Sequence, residues 1–158
     1  NYVQNCNSVH SNRVFEYKGI SRPAKVKIAD YRVEQLLDKL IDNAIDFSIE
    51  ASRIEVSIFS SDEGFILTVT NEGPKIPNDM LENVFDSMIS IRETNSDNRL
   101  HFGMGLYVVR NIAKHHGGNA KAVNLSDERG VKIEVTLPEF LDLRSTPKIN
   151  SELNPQKV

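Results

Sequence analysis

Asn43 is a polar amide in an apolar setting. The stretch Gln35 to Ser48 carries Leu36, Leu37, Leu40, Ile41, Ala44, Ile45 and Phe47 at the spacing of three and four that lines one broad face of an α-helix. Asn43 falls on the stripe of Leu36, Leu40 and Phe47, where an unpaired amide costs roughly 1–3 kcal/mol. It is therefore either bonded to a neighbouring loop or turned toward a ligand. Gly103 and Gly105 open a second helical pattern. A glycine pair there leaves free backbone N–H groups and the positive end of a helix dipole aimed at one spot, which suits phosphate oxygens. Tight packing of the helix on a sheet is the other reason for such a pair. Between these features lie a turn-rich segment, Asn71 to Pro77, and a polar connection from Asp86 to Phe102, long enough in a compact domain to be a functional lid. Amide, turn, lid and glycine pair converge on a nucleotide.

The elements that must position these groups follow from apolar periodicity. Val14, Phe15 and Tyr17 predict one short strand, and Val26 and Ile28, after the turn-forming Ser21-Arg22-Pro23, another. Asp30 fits an N-cap, with Glu34 in the first turn, for the helix that carries Asn43 and ends between Ser48 and Ser52. Ile54, Val56 and Ile58, a turn at Ser60 to Gly64, then Phe65, Leu67 and Val69 describe an antiparallel hairpin with one apolar face. Met80, Leu81, Val84 and Phe85 give a short helical pattern. The helix after the glycine pair sets Leu106, Val109, Ala113 and His116 on one stripe, with Val108 and Ile112 beside it, and stops at Gly117-Gly118. A second hairpin runs from Lys121 to Leu125 and from Val131 to Leu137, around a turn at Asp127 to Gly130. This order predicts a mixed, largely antiparallel sheet with its helices on one face, a two-layer α/β sandwich. Residues 1–12 read as a linker tail or helix end with little order, 13–140 as the folded domain and 141–158 as a C-terminal tail.

Composition narrows the classes. With 158 residues, 39% of them hydrophobic, the chain suits one domain with a sizeable core. A net charge of −3 without a basic block disfavours nucleic acid and acidic membrane surfaces as partners. The single cysteine, Cys6, excludes an internal disulfide framework and suits a reducing compartment. No apolar run approaches the roughly 20 residues of a membrane span, so direct membrane contact by this domain is not expected.

The ordered set of motifs resembles the GHKL ATP-binding domains of gyrase, MutL, the heat-shock chaperone and sensor histidine kinases. Within that group it is most similar to the catalytic and ATP-binding domain of the histidine kinases, with the Bergerat fold that this implies. The segment LLDKLIDNAIDFS is similar to the N box, NEGPKIP to the first glycine box, NVFDSM to the F box and GMGLYVVRNIAKHHGG to the second glycine box. FDSMISIR together with GMGLYVVR also resembles the kinases of the proteobacterial dedicated sortase system. By this resemblance Asn43 binds the Mg²⁺ that bridges the phosphates of ATP. Phe47 packs on the adenine or is an ordinary core residue. Asn71 accepts a hydrogen bond from the adenine amino group or is a plain turn residue, while Gly73 lets the backbone pass close to the base and Ile76 forms an apolar wall. Phe85 of the F box and Gly103, Met104, Gly105 and Leu106 of the second glycine box complete the nucleotide site. Arg92 and Arg99 are lid cations for the phosphates or solvated loop charges.

Departures from the pattern sharpen the reading. Asn71 stands where most of the family has Asp, Lys75 replaces the second glycine of the first box, and His101-Phe102 precedes only the core of the second box. Lys39 stands where histidine kinases have Asn and the ATPase branches a water-activating Glu, and Asp46 takes the place of a frequent Lys. Lys39 and Asn43 share a helix face, with Asp46 three residues on, so Lys39 is expected to supply catalytic charge toward the phosphates or else to pair with Asp42 or Glu34. Without a carboxylate at position 39 the resemblance favours phosphoryl transfer over hydrolysis. It implies a cytoplasmic domain of a membrane-anchored sensor. Its partners would be ATP, a dimerisation and histidine phosphotransfer domain of the same protein, and a response regulator. None of His10, His101, His115 and His116 sits in a phosphoacceptor motif, so the chain is expected to bind ATP without phosphorylating itself. The alternative is a degenerate, non-catalytic nucleotide-binding module of the same fold.

Overall fold

Strict alternation makes the strands, and one register puts their apolar residues on a common face. In the computed structural model, which describes residues 2–20, 25–86, 104–126 and 129–140, β1 (Val14–Gly19), β2 (Arg53–Ser61), β3 (Gly64–Glu72), β4 (Asn119–Asn124) and β5 (Gly130–Leu137) form one sheet in the order β1-β2-β3-β5-β4. β1 runs parallel to β2 and every other pair is antiparallel. Ile54, Val56 and Ile58 face Asn71, Val69 and Leu67, which in turn face Val131, Ile133 and Val135. That row is buried save for the half-buried Ile58, and α1 (Tyr2–Val9), α2 (Asp30–Phe47) and α3 (Gly105–His115) pack into the same core. Helix α2 contributes Leu36, Leu40, Ile41 and Ala44, and α3 contributes Leu106, Val109, Ile112 and Ala113. Burial of each large aliphatic side chain contributes roughly 1.5–3 kcal/mol. The result is the predicted two-layer α/β sandwich.

Boundaries differ from the sequence expectation where tertiary contacts decide. Ala29 rather than Asp30 is the N-cap of α2, and no side chain caps it. Asp30 instead sits in the first turn, where its charge complements the dipole. Val26 forms a single antiparallel bridge to Glu139 instead of a strand, because the helix starts four residues later. The pattern Met80 to Phe85 becomes two 3-10 turns, Asn78–Met80 and Asn83–Phe85. Of the two alternatives for the N-terminal stretch, linker tail or helix end, residues 2–9 take the helix. They form α1, with Val3 and Cys6 buried, because the Tyr2 hydroxyl donates to the Asp38 carboxylate on α2 and Asn7 bonds both backbone groups of Phe15 at 2.9 Å. Burial first, then the Asp38 bond, pushes the Tyr2 hydroxyl above its ordinary pKa.

Helix α2 ends on a guanidinium. Arg13 donates to the Ile49 carbonyl at 2.7 Å and the Ile45 carbonyl at 3.4 Å, neutralising carbonyls that the last turn leaves open. No helix among the described residues is long and apolar enough to cross a membrane.

On the sheet face away from the helices, Glu134 is buried between two lysines. Burial raises its carboxyl, but hydrogen bonds from Lys121 at 2.7 Å and Lys132 at 2.6 Å outweigh that, and its pKa lies below the ordinary glutamate value. An acid depressed in the folded state adds stability above its unfolded pKa of about 4.3 and loses it as pH falls through the lower folded value. Glu134→Gln is accordingly expected to lower the urea midpoint at pH 7. The difference should shrink steadily below about pH 4.

Candidate functional site

The candidate site forms where the flank of α2 meets the first turn of α3. Asn43 is half-buried rather than interior, because the face of α2 that meets the core is centred on Leu36, Leu40, Ile41 and Ala44 and leaves position 43 at its border. Its side chain makes no hydrogen bond to any described residue, so the neighbouring-loop alternative for this amide is not realised there. One turn earlier, Lys39 lies beside Gly105: a Cβ on that glycine would meet Lys39 O at 3.8 Å and Lys39 Cδ at 4.0 Å. The Lys39 ammonium is 3.5 Å from Asp42, a half-exposed pair worth about 0–1 kcal/mol. Such a pair is readily exchanged for a phosphate. Asp46 is exposed on the following turn.

Helix α3 begins at Gly105 with Met104 in the cap position, and among the described residues no side chain caps its first amides. Helix starts of this kind, with a positive dipole end and unsatisfied N–H groups, receive anions. Met104 is 50% exposed, whereas Leu106 is buried in the core and serves the site by fixing the helix. The two glycines differ in what they leave open. Gly105 would tolerate a Cβ at ordinary contact distance, so the space beside it is not needed by the protein. At Gly73 a Cβ would lie 2.1 Å from the Phe47 carbonyl, so that glycine admits the end of α2. Phe47, half-buried, thereby fixes the loop through its backbone.

Asn71 ends the inward row of β3, between Ile54 and Val131, and is 3% exposed. Its Nδ2 makes a long 3.5 Å contact to the Glu72 carbonyl, and its Oδ1 receives no hydrogen bond from a described residue. An acceptor left over at a buried position fits an incoming amino group. Ile76 is half-buried in the loop that follows. Its position is set by a residue the sequence reading missed: Asn124, at the end of β4, accepts from Ile76 N at 3.0 Å and donates to Ile76 O at 2.8 Å and to Asn78 Oδ1 at 3.2 Å.

Phe85 is 1% exposed, so it anchors its segment in the core and presents no surface to a ligand. Arg110 of α3, also missed, lies with its Cζ 4.3 Å from the Phe85 ring centroid and pairs with Glu82 at 2.7 Å. Arg92, Arg99, Gly103, His101 and most of the expected lid, together with the tail 141–158, lie outside the described residues. The structure therefore sets Lys39 beside Gly105, with Asn43 one turn on along α2, and brings Phe47, Asn71 and Gly73 together, with Ile76 in the loop that follows.

The residues present suit a magnesium ion bound through a nucleotide. Among the described residues no group of three or more His, Cys, Asp or Glu side chains could hold a metal. A hard cation that keeps its waters and phosphate ligands needs one or two protein oxygens, and the unengaged Asn43 amide offers one.

Comparison with known proteins follows the same geometry. Residues 29–140 match the family described as histidine kinase-, DNA gyrase B-, and HSP90-like ATPase. The sensor protein KdpD of Clostridium acetobutylicum is 35% identical over 92 residues, which cover 58% of this chain and 10% of that protein. The sensor protein DltS of Streptococcus agalactiae is 30% identical over 107 residues, 68% of this chain and 26% of its own length. The chain thus spans a minor part of the curated relatives it matches. Among solved structures, the mycobacterial sensor histidine kinase MprB superposes with a TM-score of 0.72 at 23% identity, over 86% of this chain and 88% of that one. The catalytic domain of the histidine kinase ThkA, nucleotide-free, gives 0.71 at 22% identity over 87% and 90%. At these identities the likeness establishes the fold.

Proposed function

We propose, for a chain that belongs to the histidine kinase-, DNA gyrase B-, and HSP90-like ATPase family, that it binds ATP with Mg²⁺ between α2 and α3 and transfers the γ-phosphoryl group to a histidine on a separate dimerisation domain. A response regulator would then take the phosphoryl group from that histidine. The observation that carries the reading is that Lys39 lies beside Gly105 at the start of α3, where no side chain of a described residue caps the helix, with the Asn43 amide, which bonds no described residue, one turn along α2. Bound Mg²⁺ would neutralise charge on the phosphates, with the Asn43 oxygen as its protein ligand. Lys39 would direct its ammonium to the same phosphates, and the first amides of α3 would hold their oxygens. At the base end, Asn71 would accept the adenine amino hydrogen bond, with Ile76 as an apolar wall.

Lys39 also bears on the choice of reaction. It places no general base where a water would need one, and transfer to a protein histidine can draw that function from the acceptor domain. Catalysis by this chain is then positioning and charge neutralisation. A relative named a sensor histidine kinase, WalK of Bacillus subtilis, supports the same class, and a full-length protein of similar fold, ShkA, is described in complex with AMPPNP.

Calorimetry with ATP, with and without Mg²⁺, tests the proposal, and Gly105→Ala is the variant that discriminates. Among the described residues its new methyl meets only Lys39 at contact distance, so the melting temperature should hold or rise, since alanine favours a helix by up to about 1 kcal/mol. The same methyl occupies space beside the first α3 amides. Mg-ATP affinity should fall by about tenfold or more. Unchanged affinity in Gly105→Ala, or no magnesium-dependent heat in the unaltered chain, overturns the reading.

A further inference from the structure

We infer that Arg110 is a positioning residue that makes the base-binding loop and the phosphate-binding end of α3 act as one rigid body. The inference rests on the nucleotide site proposed above and concerns a residue that touches no part of it.

Arg110 stands in the second turn of α3. Its Nη2 bonds Glu82 Oε2 at 2.7 Å, its Nη1 donates to the Glu82 carbonyl at 3.3 Å, and its guanidinium lies 4.3 Å from the centroid of the Phe85 ring. The side chain is only 15% exposed, and its buried Nε finds no partner. A leucine or methionine would pack on Phe85 without desolvating a charge or stranding a donor. What an aliphatic side chain lacks is the fork, which fixes the Glu82 backbone in both distance and direction. The arrangement therefore gives orientation at the expense of stability.

The segment so held is a second link between the two ends of the site, beside α2. From Asn71 the chain passes through Gly73 and Ile76, where Asn124 grips both backbone groups of Ile76, and on through the turns at Asn78–Met80 and Asn83–Phe85. Asn124 ties the start of this segment to the sheet and Arg110 ties its end to α3. Loss of Arg110 would leave the two ends joined through α2, which carries Lys39, Asn43 and Phe47, but would loosen the segment after Ile76 against α3. A ligand that spans both ends would lose the benefit of a prearranged pair of subsites, and a ligand held at one end would not.

The test compares Mg-ATP with adenosine on the full chain. Arg110→Met is expected to weaken Mg-ATP binding about tenfold and adenosine binding by less than about twofold, measured below the melting temperature of each variant. Arg110→Lys, which keeps a charge for Glu82 but has no fork, should fall between Arg110→Met and the unaltered chain. If Arg110→Met does not fold, Glu82→Gln takes its place. That carboxylate is 78% exposed, and the variant should show a smaller loss of the same selective kind. Equal losses for both ligands, or no loss for either, overturn the proposal. Absence of magnesium-dependent ATP binding in the unaltered chain overturns the functional reading, and this inference with it.

Discussion

Replacing Asn43 with alanine is expected to leave the fold intact and to remove magnesium-dependent ATP binding. The side chain makes no hydrogen bond to any described residue and is half-buried, so its removal breaks no hydrogen bond among the described residues. Alanine also favours a helix interior by up to about 0.7 kcal/mol over asparagine. A melting temperature equal to or above that of the unaltered chain is the expected structural result. The functional result has the opposite sign. A polar group that meets a charged partner contributes about 1.5–3 kcal/mol, so affinity for Mg-ATP should fall roughly 10- to 150-fold, and what remains should no longer depend on Mg²⁺. Calorimetric titration with and without Mg²⁺ reads both quantities. A large drop in melting temperature would mean that the amide serves the fold, and retained magnesium dependence would remove it from the metal site.

Gly73→Ala should behave in reverse. The new Cβ would lie 2.1 Å from the Phe47 carbonyl oxygen and 3.3 Å from Asn71 Nδ2, and backbone cannot swing away as a flexible side chain can. Either the loop or the last turn of α2 must shift. Overpacking of this kind costs about 1–3 kcal/mol and at times more, which for a chain of this size lowers the melting temperature by roughly 2–12 °C. Asn71 and Phe47 move with the shift, so nucleotide affinity falls too. Thermal unfolding of Gly73→Ala beside Gly105→Ala gives the contrast: one glycine is needed by the protein, the other leaves space that the protein does not use.

That contrast marks what could be read from residue order. Periods of 3.6 and 2 located α2, α3 and both hairpins, since each element shows its buried face in its own residues. Asn43 stood out for the same reason, as the polar residue that interrupts a periodic stripe, although its place at the border of that stripe required the packing of α2. Asn124 and Arg110 gave no such signal. Their partners lie 48 and 28 residues away, and an asparagine ending a strand or an arginine on a helix has an ordinary local explanation. Phe85 was visible as part of a motif but not as a fully buried anchor. Helix α1 was expected only as one alternative, a helix end with little order, because its stability comes from Asp38 and Phe15, not from its Asn- and Ser-rich sequence. The parallel pairing of β1 with β2 depends on a crossover through α2, and no local pattern states which neighbour a strand will choose.

The paired bonds of Asn7 with Phe15 bear on how the sheet is protected at its margin. β1 is an outermost strand, and Phe15 turns its peptide N–H and carbonyl away from β2. The Asn7 amide meets both, as a peptide unit of an additional strand would. A second molecule approaching that rim finds the Phe15 pair already taken, so an asparagine in an eight-residue helix blocks one step of the ladder that edge-to-edge pairing would need.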